Sequence, residues 1–236
     1  MPSLQGSALS GCTIAFDLDG TLVDSAPDLA AALNKVLAKE GLPRASLEDA
    51  RRFVGQGARA LMVRAFAVHK LHPGPEELDR LTEAYVLALA EDVSSKSKVY
   101  PGLVEAIDML AAAGARLCVC TNKRTDLSIK LIRDMALTTY FPQIVGSDRV
   151  TNRKPHPDHF VEAVRLAGGD PARALMVGDS SNDVNSAKAA GAPVVVYGHG
   201  YSDTAPELLG ADAVFYAYAD LPDLAVRMLA QLAPRA

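Results

Sequence analysis

The 236-residue sequence contains few cysteines and no long apolar run. Three cysteines are too few for the disulfide framework of a small secreted protein, and two of them, Cys118 and Cys120, alternate within an apolar segment as small core residues do. No stretch approaches the roughly 18 apolar residues of a membrane span, and residues 1–12 lack the basic start and apolar centre of a signal peptide. We therefore expect no membrane association and a cytoplasmic location.

The sequence also lacks a strong excess of charge of either sign. It has 24 Lys and Arg against 28 Asp and Glu, and no cluster of basic residues is dense enough to bind a nucleic-acid backbone. Nucleic acid is therefore not an expected partner. Hydrophobic residues make up 49% and charged residues 22%, which is typical of a globular protein that can bury a sizeable core.

Two hydrophobic patterns divide the chain. From about residue 25 to residue 95 the apolar residues recur at helical spacing. After residue 98, apolar strands alternate with helical segments, which is typical of a parallel sheet covered on both faces. A polar segment, residues 94–98, suits a linker or hinge between the two regions. Strands are predicted at 13–16, 115–121, 143–146, 174–178, 193–197 and 213–216.

These patterns predict an α/β protein with a doubly wound, Rossmann-like parallel sheet and an inserted all-helical cap domain. Residues 1–23 and 98–236 form the predicted catalytic core, and residues 24–97 form the predicted cap. The cap is thus inserted just after the first strand of the sheet, because the alternating pattern resumes only beyond it.

Two carboxylates, Asp17 and Asp19, directly follow the first strand. Side chains alternate along extended backbone, so both point the same way, and Gly20 lets the chain turn sharply beyond them. Two like charges about 4 Å apart repel by roughly 1 kcal/mol in water and by more in a drier site, so the pair needs a cation or a shared proton. By itself, such a pair is more often an ordinary polar loop after a strand. The residues that follow the other strands must decide whether this pair is functional.

Polar residues follow the later strands as well, at the sheet edge where open parallel sheets bind ligands. Thr121 and Asn122 follow one strand, and Asp179 and Asp183 follow another. Carboxylate oxygens from these strand ends favour a hard cation such as Mg²⁺. Lys154, which precedes a helix, can neutralise a carboxylate and a phosphoryl group, and Thr121 can hold a phosphate oxygen at a helix N-terminus. This set matches what phosphoryl transfer requires.

The same segments, in the same order, resemble the four motifs of the haloacid dehalogenase superfamily of phosphotransferases. They are Asp17-Leu18-Asp19-Gly20-Thr21, Thr121-Asn122, Lys154-Pro155 and Gly178-Asp179-Ser180-Ser181-Asn182-Asp183. The inserted helical block resembles the superfamily's cap, which closes over small substrates.

The resemblance implies a role for each motif. Asp17 would be the nucleophile that becomes an aspartyl-phosphate, and Asp19 would be the general acid and base. Thr121 and Asn122 would bind the transferring phosphoryl group, and Lys154 would orient and neutralise it. The implied Mg²⁺ ligands are Asp17, the backbone carbonyl of Asp19, and Asp179. Asp183 would either bind the metal directly or hold the residues that do.

An acid at position 19 also restricts the reaction class. Dehalogenases of this superfamily lack an acid there and transport ATPases replace it, so the resemblance implies a phosphatase or a phosphomutase. A phosphomutase of the β-phosphoglucomutase type shares the four motifs and stays open as an alternative. A regulatory protein that clamps a ligand without turnover is a third hypothesis.

Within the superfamily the sequence is most similar to phosphoglycolate phosphatases, on residues 19–25, 53–58 and 121–123. The resemblance implies a Mg²⁺-dependent hydrolase of a small phosphate monoester, with 2-phosphoglycolate favoured and a sugar phosphate, a nucleotide or pyrophosphate as alternatives. A small phosphorylated metabolite is therefore the expected partner, and a monomer and a homodimer both remain possible.

Three cap residues are candidates for substrate binding. Gly55 and Gly57 would present backbone N–H groups to a small anion at a helix start, and Arg59 follows closely enough to contact a carboxylate. The same residues equally fit a simple helix break followed by a solvated arginine.

Overall fold

The computed structural model describes residues 8–232, so the parts of the predictions that fall on residues 1–7 and 233–236 lie outside the described residues. The strands are β1 (Thr13–Phe16), β2 (Val23–Asp24), β3 (Lys98–Val99), β4 (Arg116–Cys120), β5 (Gln143–Val145), β6 (Ala174–Gly178), β7 (Val194–Tyr197) and β8 (Ala213–Phe215). The α-helices are α1 (Ala26–Lys39), α2 (Leu47–Phe53), α3 (Gly57–Ala67), α4 (Pro75–Glu91), α5 (Leu103–Ala112), α6 (Thr125–Asp134), α7 (Pro157–Leu166), α8 (Ser181–Ala189) and α9 (Leu221–Ala230).

Six of the strands form one parallel sheet in the order β5-β4-β1-β6-β7-β8. The first strand lies near the centre, where Phe16 is opposite Val119 on one side and Val177 on the other. Because the neighbouring strands run in the same direction, the residues that follow β1, β4 and β6 meet at one edge of the sheet. The predicted α/β fold is confirmed.

Helices cover both faces of the sheet, which explains why its strands are almost continuously apolar. Ile14 and Phe16 belong to a hydrophobic cluster that includes Leu131 of α6 and Leu224 of α9. Ala15, between them, belongs to a second cluster with residues of α7 and α8. Successive strand residues thus enter different cores, as the alternation of side chains along a strand requires.

In the sequence, helices α1 to α4 come after β1, the first strand of the six-stranded sheet, and before β4, the next strand of that sheet. α1 packs against α4 and α2, and α4 also packs against α3. A capping box begins α2, because the Asp49 N–H donates to Ser46 Oγ at 3.0 Å and the Asp49 side chain accepts from the Ser46 N–H. The division into a core of residues 1–23 and 98–236 and a cap of residues 24–97 stays a prediction.

The polar segment between cap and core differs from the expected free linker. β2 and β3 form an antiparallel pair, with Val23 opposite Val99, and this two-residue ladder is too short to leave a periodic signal in the sequence. The buried carboxylate of Asp28, in the first turn of α1, accepts hydrogen bonds from the Ser97 hydroxyl at 2.6 Å and from the Lys96 N–H at 3.1 Å. The segment is therefore fastened to α1. Within residues 8–232 no helix is both long enough and apolar enough to cross a membrane.

Candidate active site

Three acidic side chains meet at the carboxyl edge of the sheet. One oxygen from each of Asp17, Asp179 and Asp183 lies within 4.8 Å of the others, and all three residues are buried. Asp17 follows β1 and is fixed by its N–H, which donates to the carbonyl of Val177 in β6 at 2.9 Å. Asp179 follows β6, and Asp183 lies one turn further on in α8. Adjacent parallel strands thus bring the predicted acidic residues together.

Asp17 is the most central of these carboxylates. Its Oδ1 atom accepts a hydrogen bond from the Leu18 N–H at 2.7 Å and lies 3.1 Å from Lys154 Nζ. Burial raises the pKa of Asp17 to about 6, and the charge of Asp183 adds to this effect, while Lys154 opposes it. Among the described residues, no hydrogen-bond donor reaches its Oδ2 atom, so one oxygen stays available for chemistry.

Lys154 supplies the positive charge at the centre of the cluster. Its ammonium group donates to Asp183 Oδ1 and to the Cys120 carbonyl, both at 2.6 Å. Burial opposes the charged form, but Asp17 and Asp183 outweigh it and raise the pKa of Lys154. A buried lysine between two carboxylates is held charged and in one place, which suits a residue that neutralises a phosphoryl group.

A buried histidine that sequence reasoning missed fixes the Lys154 backbone. The Lys154 N–H donates to His159 Nδ1 at 3.2 Å, and His159 Nε2 lies 3.1 Å from the Val145 carbonyl in β5. This arrangement requires a neutral ring with its proton on Nε2. Burial, followed by the charge of Lys154, lowers the pKa of His159 to about 4. The five-residue spacing between Lys154 and His159 is the only trace of this contact in the sequence.

The two aspartates after β6 are held differently. Asp179 accepts hydrogen bonds from the Thr21 hydroxyl at 2.9 Å and from the Tyr201 N–H at 2.6 Å. Burial, and then the charges of Asp183 and Asp17, raise the pKa of Asp179 well above its usual value. Asp183 has donors on both oxygens, because its Oδ1 binds Lys154 and its Oδ2 accepts from Ser180 N at 3.0 Å and Ser180 Oγ at 2.7 Å.

Glycine is required where Asp179 packs most tightly. A Cβ atom built on Gly200 would lie 2.1 Å from the Asp179 Cβ, and one built on Gly20 would lie 2.5 Å from its Oδ2. Gly20 also has a φ of +87°, which favours glycine. The backbone at Gly20 and Gly200 therefore approaches the Asp179 carboxylate more closely than any residue with a side chain would allow.

The chemistry of this cluster fits Mg²⁺. Its donors are all carboxylate oxygens, which are the ligands that hard cations prefer. Three buried carboxylates face a single ammonium group, and the raised pKa values of Asp17 and Asp179 show that their ionised forms lack sufficient compensation. A bound divalent cation would supply the missing positive charge.

The side chain of Asp19 lies apart from this cluster and faces the cap. Lys123 Nζ is 3.1 Å from both Asp19 oxygens, and the Ser25 hydroxyl donates to Oδ1 at 2.5 Å. Lys123 and Ser25 are contacts that sequence reasoning missed, although both flank predicted motifs. The Asp19 carboxylate is not part of the acidic cluster, so only its backbone carbonyl stays a predicted metal ligand, and its role as general acid and base stays a prediction.

A cavity of about 540 Å³ lies between the sheet edge and the cap helices. Asp17, Asp19 and Thr121 line its floor, and the apolar side chains of α4 form much of its opposite wall. Tyr85 of α4 also lines the cavity, and burial and then the charge of Asp19 raise the pKa of its hydroxyl. The volume accommodates a small metabolite rather than a polymer.

The predicted cap residues reach this cavity, but their contacts differ from the expected ones. The carbonyl of Gly55 accepts hydrogen bonds from the side-chain amides of Asn122 at 3.0 Å and Asn182 at 3.2 Å, so this glycine binds the core through its oxygen. Gly57 opens α3 and lies close to Asn122, since a Cβ atom there would be 3.3 Å from the Asn122 carbonyl. Arg59 lines the cavity but pairs with Asp79 within the cap at 3.0 Å.

Thr121 and Asn122 follow β4 at the edge of the cavity, and their phosphate contacts stay a prediction. Thr121 is buried after β4, and its Oγ1 accepts from the Lys123 N–H at 3.2 Å. The Asn122 amide also donates to the Lys154 carbonyl at 3.0 Å, which links two of the motifs. The Asn122 Oδ1 atom is buried and has no hydrogen-bond partner among residues 8–232.

The sequence and the fold both match known phosphatases. The family model described as haloacid dehalogenase-like hydrolase matches residues 14–197. A phosphoglycolate phosphatase from Caulobacter vibrioides is 43% identical over 221 residues, which cover 94% of this chain and 93% of that protein. A phosphoglycolate phosphatase from Mesorhizobium japonicum is 46% identical over 190 residues, which cover 80% and 84%. The crystal structure of a predicted phosphoglycolate phosphatase from Haemophilus somnus superimposes with a TM-score of 0.82 at 31% identity, covering 90% and 96%.

Proposed function

The chain belongs to the haloacid dehalogenase-like hydrolases and is a phosphoric monoester hydrolase, and from this premise we propose that it converts 2-phosphoglycolate to glycolate and phosphate. The observation that carries the proposal is the position of Asp17. Asp17 lines the cavity, one of its oxygens is fixed against Lys154, and the other has no donor from the described residues. A carboxylate nucleophile held in this way can divide one difficult displacement into two easier ones.

In the first half of the proposed reaction, Asp17 attacks the phosphorus atom. The bond between phosphorus and the ester oxygen breaks, the phosphoryl group becomes covalently attached to Asp17, and Asp19 donates a proton to the departing alcohol. In the second half, Asp19 takes a proton from a water molecule that attacks the same phosphorus, and the bond to Asp17 breaks. Asp19 thereby returns to its starting state, as a general acid and base must.

The residues around Asp17 keep the phosphoryl group in line. Lys154 neutralises its charge, and Thr121 and the adjoining backbone of Asn122 hold its oxygens at the start of the β4–α6 connection. Asp17, the Asp19 carbonyl and Asp179 would hold Mg²⁺, which would supply further positive charge to the phosphoryl oxygens. Asp183 acts mainly by positioning Lys154 and the loop at Ser180, because both of its oxygens already accept from protein donors.

The size of the cavity and the names of the relatives bear on the substrate. The cavity holds about 540 Å³, and Gly55, whose carbonyl joins the cap to the core, is one of its lining residues. Relatives at 43% and 46% identity carry the name phosphoglycolate phosphatase. The cavity limits the substrate to a small molecule, and the names of the relatives favour 2-phosphoglycolate among the small esters.

A substrate panel tests the proposal. We expect 2-phosphoglycolate to give the highest kcat/KM among sugar phosphates, nucleotides and pyrophosphate, measured by release of inorganic phosphate with and without Mg²⁺. Activity should be lost in the presence of a chelator and restored by Mg²⁺. Conversion of a sugar phosphate to its isomer without phosphate release would instead identify a phosphomutase, and absence of any turnover would favour a regulatory binding protein.

A further inference from the structure

The basic residues that line the cavity differ in whether they have an acidic partner. Lys123 pairs with Asp19 at 3.1 Å. The other paired cations are Arg59 with Asp79 at 3.0 Å and Arg124 with Asp126 at 3.1 Å. Within residues 8–232, Arg153 is the cavity-lining basic residue that has no ion pair and no side-chain hydrogen bond. Its positive charge is therefore available to a ligand.

The backbone next to Arg153 is fixed by the active site itself. The neighbouring Lys154 is buried, its N–H donates to His159, and its carbonyl accepts from Asn122. Consecutive residues are about 3.8 Å apart at their Cα atoms, so the two side chains extend from nearly one point. Lys154 extends to Asp17, whereas Arg153 extends to the cap side of the cavity.

The guanidinium group of Arg153 lies against the first turn of α3. A Cβ atom built on Gly57 would be 3.6 Å from Arg153 Nη1, so the arginine spans the gap between the core and this cap helix. Asp17 and Arg153 line the same cavity, so a phosphate ester bound at Asp17 would share this space with the guanidinium group. Two cations thus lie on adjacent residues, Lys154 beside Asp17 and Arg153 on the cap side of the cavity.

We propose that Arg153 binds a carboxylate on the leaving group and makes the enzyme selective for acidic phosphate monoesters. The inference rests on the proposed function, since it needs a phosphoryl group at Asp17. A guanidinium group forms a planar fork that can donate two parallel hydrogen bonds to one carboxylate. The same group gives no advantage to an ester whose leaving group is neutral, so selectivity should depend on this residue.

The test compares two esters with the same two-carbon chain, 2-phosphoglycolate and ethyl phosphate. Arg153→Gln should lower kcat/KM for 2-phosphoglycolate on the order of tenfold or more, chiefly by raising KM, because a charge-assisted contact is lost. The value for ethyl phosphate should stay within about twofold of wild type. Arg153→Lys should recover part of the loss, since lysine retains the charge but not the fork.

Arg124→Gln is the matched control, because Arg124 lines the same cavity and already pairs with Asp126. It should not change the ratio of the two kcat/KM values. If Arg153→Gln lowers kcat/KM for both substrates equally, Arg153 does not act on the carboxylate, and the inference is wrong. The inference is also wrong if Arg153→Gln changes neither kcat/KM value. If the wild-type enzyme releases phosphate from neither ester, the proposed function itself fails.

Discussion

The core and the cap meet at one cavity but supply different kinds of groups to it. The core provides the charged side chains of the acidic cluster, which are held by protein contacts, and Lys154 by itself has three oxygen neighbours. The cap provides the Gly55 carbonyl, the apolar wall of α4 and an arginine that is already paired with Asp79. We infer that the core fixes the chemistry, whereas the cap and the boundary between the two determine which ester fits.

The largest effect should come from the centre of the core. Asp17→Asn should lower kcat by at least about 10³-fold, because an amide cannot attack phosphorus. The protein should stay folded, since the asparagine oxygen can still accept from the Leu18 N–H and Lys154 keeps Asp183 as a partner. Phosphate release and thermal unfolding measure the two effects. A kcat close to that of wild type would show that the nucleophile is another residue.

Lys154→Met tests whether the charges of the core are mutually dependent. The change leaves Asp17 and Asp183 buried without their cation, so we expect a loss of about 3–5 kcal/mol in the free energy of unfolding and about 10²-fold or more in kcat. Lys188→Met is the matched control, because Lys188 pairs with Asp212 at the surface. A stability loss no larger than that of the control would contradict the interpretation of the cluster.

The buried histidine gives the core a specific pH dependence. His159 has a pKa of about 4 in the folded protein, against 6.5 for an ordinary histidine, so between these values the unfolded chain binds a proton that the folded one does not. Its contribution is complete above about pH 6.5 and is lost as the pH falls, by about 2 kcal/mol between pH 7.5 and pH 5.

Urea unfolding of wild type and His159→Gln at several pH values isolates this contribution. The variant should lose less stability than wild type as the pH is lowered, because glutamine has no proton to gain. His72→Gln, in an exposed loop of the cap, is the matched control. Parallel pH profiles for wild type and His159→Gln would exclude His159 as the source of the dependence.

The smallest effect should come from the contact that joins cap and core. Asn182→Ala removes one of the two amides that bind the Gly55 carbonyl, and Asn122 keeps the other. A single neutral hydrogen bond contributes about 0.5–1.5 kcal/mol, so KM should rise about two- to tenfold while kcat changes little. Asn185→Ala, on the exposed side of the same helix, is the control. Indistinguishable KM values for the two variants would show that this bond does not hold the cap.

The sheet and the acidic cluster could be predicted for one physical reason. Parallel strands buried on both faces are continuously apolar, and their carboxyl ends must converge at one edge. Asp17, Asp179 and Asp183 therefore meet as their places in the chain suggest.

Contacts that depend on side-chain direction could not be predicted. The sequence does not show that Lys123 turns towards Asp19 or that His159 supports the Lys154 backbone, because both contacts join segments that are distant or irregular. Local periodicity also missed the β2–β3 pair, since two residues form no pattern. The sequence offers Gly55 as a candidate N–H donor to an anion or as a simple helix break, and the role of its carbonyl as an acceptor follows only from the packing of the cap.

The β2–β3 pair brings the two ends of the inserted segment together. The chain leaves the core at Val23 and returns at Val99, and these residues are direct partners in an antiparallel ladder, so exit and return are only about 5 Å apart. Inserted segments of very different lengths can join two such close points, because the entropic cost of a loop rises by only about 0.6 kcal/mol for each doubling of its length. We infer that the predicted cap is an exchangeable insertion, and that recombination at this ladder would give the same catalytic sheet a new substrate range.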